Sequence, residues 1–234
     1  MTKRPVCVVV GIGPGNGAAF ARRFHREGYA LALVSRSEEH TAPLVAELAG
    51  ARAFACDAGD PESVKRAFEA IRGTLGDPAV VVYNAGSGTF GTFDDVSVAD
   101  LESSWRVNTL GLFAVAKEVV PAMQARGGGS IVVVGATASR RGAARTAAFA
   151  QGKAAQRALC ESLARHLWPR GIHVSLIIID GVVDLPRTRA RLPDRPDSFF
   201  VAPDDVASTA AFLVAQPRSA WTFELEARPF GETW

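Results

Sequence analysis

Val6-Cys-Val-Val-Val10 runs directly into Gly11-Ile-Gly13-Pro-Gly15-Asn16-Gly17-Ala-Ala-Phe20. Five consecutive apolar residues, four of them β-branched, predict a strand buried on both faces. The amphipathic stretch that follows predicts a helix over 15–27. Glycines between a strand and a helix let the backbone approach a pyrophosphate closely, and the helix N-terminus presents free N–H groups and a positive dipole end to it. A glycine pattern alone is weak evidence for that chemistry. Its place between strand and helix makes it stronger, and a merely structural tight turn is the competing reading.

The same alternation continues outward from this turn. Strands are predicted over 6–10, 30–35, 51–56, 80–83, 130–134, 173–179 and 221–225. Helices are predicted between them over 15–27, 38–48, 61–75, 98–124, 147–168 and 203–215. Ile131-Val-Val-Val134 and Leu176-Ile-Ile-Ile179 are apolar on both faces, as strands of a covered parallel sheet must be. The expectation is one α/β domain across residues 1–234: a doubly wound Rossmann fold of about seven parallel strands with helices on both faces. Asp60-Pro61-Glu62 reads as a helix start. Residues 184–202, rich in Pro and Arg, read as an irregular loop. They are either a flap over a substrate or a plain surface loop.

Composition narrows the partners. A formal net charge of +2 over 234 residues gives no electrostatic case for nucleic acid. No stretch of about 18 apolar residues predicts a membrane span. The short apolar run near the N-terminus is not a secretion signal, so a cytoplasmic location is expected. Cys7, Cys56 and Cys160 fit no zinc spacing and read as small buried hydrophobes.

The motifs in sequence order resemble the short-chain dehydrogenase/reductase family over roughly residues 5 to 226. Gly11, Gly15 and Gly17 have that family's spacing. Cys56-Asp57-Ala58 resembles its adenine-contacting aspartate, and Asn84-Ala85-Gly86 its Asn-Ala-Gly turn. Asn108 and Lys153 match its helix asparagine and lysine, while Asp180-Gly181-Val-Val183 replaces the usual Pro-Gly turn. The resemblance implies a nicotinamide dinucleotide held by Gly11, Gly13, Gly15, Asn16, Gly17, Asp57, Ala58, Asn84, Ala85, Gly86, Lys153, Gly181 and Val183. It also implies a homodimer or homotetramer built on the long helices over 98–124 and 147–168. At the end of the second strand, where an acid would take the 2′-OH of NAD, stands Arg36 between Ser35 and Ser37. A guanidinium there pairs with a 2′-phosphate and favours NADP(H); a solvated arginine is the alternative.

The family's reaction uses a tyrosine to move the proton, a lysine to lower its pKa and hold the ribose, a serine to polarise the carbonyl, and an asparagine to hold a water. Phe149 stands where the resemblance places the tyrosine, four residues before Lys153, and Ala136 stands where it places the serine. Neither side chain moves a proton. Tyr29, Tyr83 and the four histidines are poorly placed to substitute. The candidates left are Thr137 or Ser139 as carbonyl donors, and Lys153, Arg145 or Asp184 as proton carriers. Arg140, Arg141 and Arg145 read either as an anionic-substrate site or as a solvated loop. Three functions follow: an NADP(H)-dependent oxidoreductase of a small molecule with an altered proton relay, an NADP(H)-binding protein without turnover, or an isomerase or lyase on the same scaffold.

Overall fold

The computed structural model describes residues 4–231. Residues 1–3 and 232–234, which the single-domain expectation also spans, lie outside the described residues. Seven parallel strands form one sheet: β1 Val6–Val10, β2 Ala30–Ser35, β3 Arg52–Ala55, β4 Pro78–Tyr83, β5 Gly129–Ala136, β6 Ile172–Ile179 and β9 Glu224–Ala227. Their order is β3-β2-β1-β4-β5-β6-β9. The order reverses between β1 and β4, and ligands of open α/β sheets sit at the strand C-termini beside such a switch. Two short strands, β7 Val182–Val183 and β8 Phe200–Val201, pair apart from this sheet.

The helices are α1 Asn16–Arg26, α2 Thr41–Glu47, α3 Pro61–Thr74, α4 Val98–Trp105, α5 Gly111–Ala125, α6 Ala147–Leu167, α7 Pro186–Arg191 and α8 Pro203–Ala215. Two apolar cores sandwich the sheet. One packs Val8, Val81, Ile131 and Val174 beneath Phe68, Leu112, Val119 and Leu167. The other packs Val9, Val82, Val132 and Ile177 beneath Phe20, Phe24, Ala210 and Leu213. β1, β2, β4, β5 and β6 each feed alternate residues into both, which explains their unbroken apolar runs.

Three expectations change. The helix over 98–124 is two helices joined by a π turn, Arg106–Leu110. The Asn108 amide donates to the Ser104 carbonyl at 2.8 Å, competing for the helix ladder, and the Tyr83 hydroxyl donates to the Val107 carbonyl at 2.5 Å. Such turns recur at functional sites. Residues 184–202 are not irregular. They hold α7, a 3₁₀ turn at Asp197–Phe199, and β8, and Arg189 pins the segment by bonding Asp184 at 2.7 Å and Asp197 at 2.6 Å. The last strand starts three residues later than the pattern over 221–225 implies. Trp221 instead stacks on His173 at a centroid distance of 4.7 Å.

Candidate active site

The glycine-rich turn is built by close backbone approach. Gly11 has φ +94°, and a Cβ there would stand 2.5 Å from the Ala85 nitrogen, so only glycine fits. Asn84 locks the arrangement from below, its Nδ2 donating to the Gly11 carbonyl at 2.7 Å. Asn84 and Ala85 therefore shape the turn, while Gly86 faces the lysine and asparagine described below. Gly17 packs against the Gly11 carbonyl, and Gly13 has open space around it. Asn16 opens α1, and its Oδ1 is buried without a partner among the described residues.

Beside this turn, Arg36, Asp57, Gly59, Ser103, Arg106 and Val107 border a cavity of about 310 Å³. That is the lower end of the range for small-molecule pockets. Arg36, Ser37 and Asp57 are exposed, Ser35 is half-buried and Ala58 is buried. Asp57 is held in place by the Gly59 N–H, which donates to its Oδ1 at 2.9 Å. Arg106, absent from the sequence-derived candidates, pairs with Glu102 at 3.0 Å. It is an ordinary helix-surface arginine by pattern, and only the fold carries it to the cavity that Arg36 borders.

The other half of the site lies at the ends of β5 and β6. Lys153 is buried on α6. Its Nζ donates to the Val134 carbonyl at 2.9 Å and to Gln156 Oε1 at 3.1 Å. Burial lowers its pKa to about 8. Asn108 is fully buried, with its amide nitrogen spent on Ser87 and Ser104 and its Oδ1 unpartnered among the described residues. Lys153 Nζ and Asn108 Oδ1 each lie 3.5 Å from the point where a Cβ of Gly86 would stand. The structure thus brings together two of the residues the sequence pairs.

Phe149 brings no hydrogen-bonding group to this face. Its ring lies 5.1 Å from that of Phe90, and Gly88 is glycine because a Cβ there would meet Phe149 at 2.5 Å. Ala136 ends β5, and its N–H donates to Ser139 Oγ at 3.1 Å. Ser139 is buried, serving the turn rather than a ligand. Thr137 is not placed as a carbonyl donor, because its hydroxyl proton goes to Asp180 Oδ1 at 2.5 Å. Asp180 is buried and also binds Arg141 at 3.2 Å and Arg228. Burial alone would raise the Asp180 carboxyl. The Thr137 hydroxyl and both guanidiniums outweigh it and hold the group below the ordinary carboxylate range.

The three arginines of the loop over 139–145 do not form an open anion site. Arg140 bonds Glu224 at 2.6 Å and also Glu226, Arg141 bonds Asp180, and Arg145 lies 4.0 Å from Asp95. Asp184 is paired with Arg189 at 2.7 Å. Gly181 lies where a Cβ would meet Pro229 at 2.7 Å, and Val183 is half-buried on β7. Asp180 was legible as a lone acid closing four apolar residues. Its partner Arg228 had no local signal, since 48 residues separate them.

These features fit a dinucleotide. The glycine turn would cradle a pyrophosphate, Asn16 has an unspent acceptor, and the cavity bordered by Asp57 and Val107 is of a size for an adenosine. Comparison with known proteins agrees. D-threitol dehydrogenase of Mycolicibacterium smegmatis is 29% identical over 222 residues, 90% of this chain and 85% of that protein. A short-chain dehydrogenase structure from Rhodopseudomonas palustris superposes with a TM-score of 0.82 at 33% identity, covering 97% of this chain and 99% of the other. An alcohol dehydrogenase from Thermococcus sibiricus, solved with 5-hydroxy-NADP, gives a TM-score of 0.87 at 26% identity, covering 98% of both chains. The family model for short chain dehydrogenases matches residues 5–195, and the chain belongs to that oxidoreductase family.

Proposed function

We propose that this protein is an NADP(H)-dependent oxidoreductase of a hydroxylated or carbonyl small molecule, working through a proton relay that lacks the family's tyrosine and serine. The observation that carries the reading is the pair Arg36 and Arg106 on the cavity that Asp57 borders. The exposed Arg36 guanidinium suits a 2′-phosphate, and Arg106 would join it by giving up part of its pairing with Glu102. Ser35 and Ser37 stand on either side of Arg36 and would add hydroxyl donors, and Ala58, Gly181 and Val183 would contribute main-chain contacts. Bound there, the nicotinamide would accept or give a hydride. Lys153 and Asn108 would orient its ribose. The names of the relatives, a D-threitol dehydrogenase and an alcohol dehydrogenase, point to alcohols and polyols.

The test is binding of NADPH against NADH by protein fluorescence, with Arg36→Asp as control. We expect NADPH to bind at least tenfold tighter, and the substitution to cost it roughly 10- to 100-fold, the worth of a charge-assisted bond to phosphate. Equal affinities for the two dinucleotides would contradict the cofactor assignment. A cofactor-binding protein without turnover is the second reading. It is favoured by Phe149, packed beneath Phe90, and by Lys153, whose ammonium is turned onto the Val134 carbonyl. A panel of secondary alcohols, polyols and their ketones decides between them: tight NADPH binding with no conversion favours the second.

The protein is further proposed to act as a homodimer or homotetramer. Val98, Leu101, Trp105 and Phe113 of α4 and α5 are large apolar side chains left exposed, and such patches mark interfaces. Sedimentation equilibrium showing a monomer at micromolar concentration would count against it. No described helix is long and apolar enough to cross a membrane.

A further inference from the structure

We propose that Thr137 and Asp180 form a hydroxyl–carboxylate dyad that accepts the substrate's alcohol proton, the task for which Phe149 has no group. The inference rests on the oxidoreductase reading above. Thr137 follows Ala136 at the end of β5, and Asp180 follows Ile179 at the end of β6. Ala136 and Ile179 are register partners, so the two side chains meet at the end of the sheet where ligands bind. The Thr137 hydroxyl donates to Asp180 at 2.5 Å. Its proton is thereby committed, and the oxygen offers only lone pairs to a ligand.

This arrangement discriminates between substrate states. A carbonyl oxygen has no proton to give and gains nothing from an acceptor. A hydroxyl donates to it. The site therefore prefers the alcohol, and oxidation is the direction in which the dyad acts. As the substrate's C–H hydride passes to an oxidised nicotinamide dinucleotide, the O–H electron pair becomes the second C–O bond. The released proton goes to Thr137 Oγ1, and the Thr137 proton goes to Asp180. Asp180 then loses its proton to water beside Arg141, whose side chain is 60% exposed.

The charged groups facing Asp180 are Arg141, from the loop after β5, and Arg228, after β9, the latter also bound to Glu226 at 2.7 Å. They keep the carboxylate ionised and aim its oxygens, so Arg228 and Arg141 are positioning residues. Thr137 is half-buried.

The test measures NADP⁺-dependent oxidation across the alcohol and polyol panel for the wild type, Thr137→Ser and Thr137→Val, with NADPH affinity and melting temperature measured alongside. Thr137→Ser should keep the rate within about fivefold. Thr137→Val should lose on the order of 10²- to 10⁴-fold in kcat, as loss of a positioned proton acceptor does, with NADPH affinity unchanged. The wild-type rate should stay flat from pH 9 down to about 5, because a carboxylate held below its ordinary range remains ionised there. A rate that falls below about pH 8 would assign the proton to Lys153 instead and overturn the dyad. Full activity in Thr137→Val would overturn it as well, and so would a wild type that binds NADP⁺ but oxidises nothing on the panel. A protein that binds neither dinucleotide fails the cofactor reading itself, and the dyad falls with it.

Discussion

The two ends of the site are built on different principles. The end formed by β1, β2 and β3 is shaped by backbone: a positive-φ glycine, a carbonyl pinned by Asn84, and a helix N-terminus. Its charged groups stand open, with Arg36 and Asp57 exposed and the Asn16 oxygen unspent. At the end formed by β5 and β6, nearly every polar group is engaged by another part of the chain. Lys153 holds a main-chain carbonyl, Thr137 and two arginines hold Asp180, and Arg140 and Arg157 share Glu224. The first end leaves its polar groups open to solvent. The second is a packed polar network whose chemistry depends on single side chains, so one substitution there changes the reaction while the cofactor site stands.

That contrast can be broken most forcefully by restoring the missing groups. Phe149→Tyr together with Ala136→Ser should raise NADPH-dependent carbonyl reduction by about 10²- to 10⁴-fold, the usual worth of a positioned acid, and leave NADPH affinity as it was. A double variant that binds NADPH and stays inert would show that the pocket, not only the relay, has been rebuilt. A denaturation series gives the next largest effect. Asp180→Ala removes the carboxylate that Thr137, Arg141 and Arg228 share, while Arg228 keeps Glu226, and should cost about 1–3 kcal/mol, whereas Arg36→Ala, on an open surface, should stay within about 0.5 kcal/mol. Because the folded Asp180 has a depressed pKa, its contribution is present above the ordinary carboxylate range and is lost as pH falls through the folded value. Equal costs for the two variants would erase the distinction between the ends.

Lys153 sharpens the contrast further. Its pKa is about 8 folded against an ordinary 10.5. The folded state therefore binds fewer protons than the unfolded one between those values, and stability must rise with pH across that window. The wild type should gain on the order of 3 kcal/mol over Lys153→Met between pH 8 and pH 10.5. Parallel curves for the two proteins would mean that Lys153 is not desolvated in solution.

Much of this was readable before any coordinates. The unbroken valine and isoleucine runs required a sheet covered on both faces, and the glycine spacing placed a tight turn between β1 and α1. Phe149 and Ala136 stood out against the lysine and asparagine around them. The elements that escaped the pattern have physical causes. The helix over 98–124 has helical periodicity throughout; only the Asn108 side chain bonding Ser104, with Tyr83 on the Val107 carbonyl, opens its π turn. The segment over 184–202 looked loop-like because its order comes from Arg189 bonding two separate aspartates rather than from an apolar face.

What the sequence by itself determined is the fold and the family, because strand burial, helix periodicity and a glycine turn between strand and helix are local properties written along the chain. What only the tertiary structure decided is which charges are available. Arg140, Arg141 and Asp184 read as free groups in one dimension and prove to be paired, while Thr137, Asp180 and Arg228 meet across 43 and 48 residues. An ion pair or a shared proton depends on a distance of about 3 Å between side chains, and no spacing along the chain encodes a distance set by how β5, β6 and β9 lie side by side.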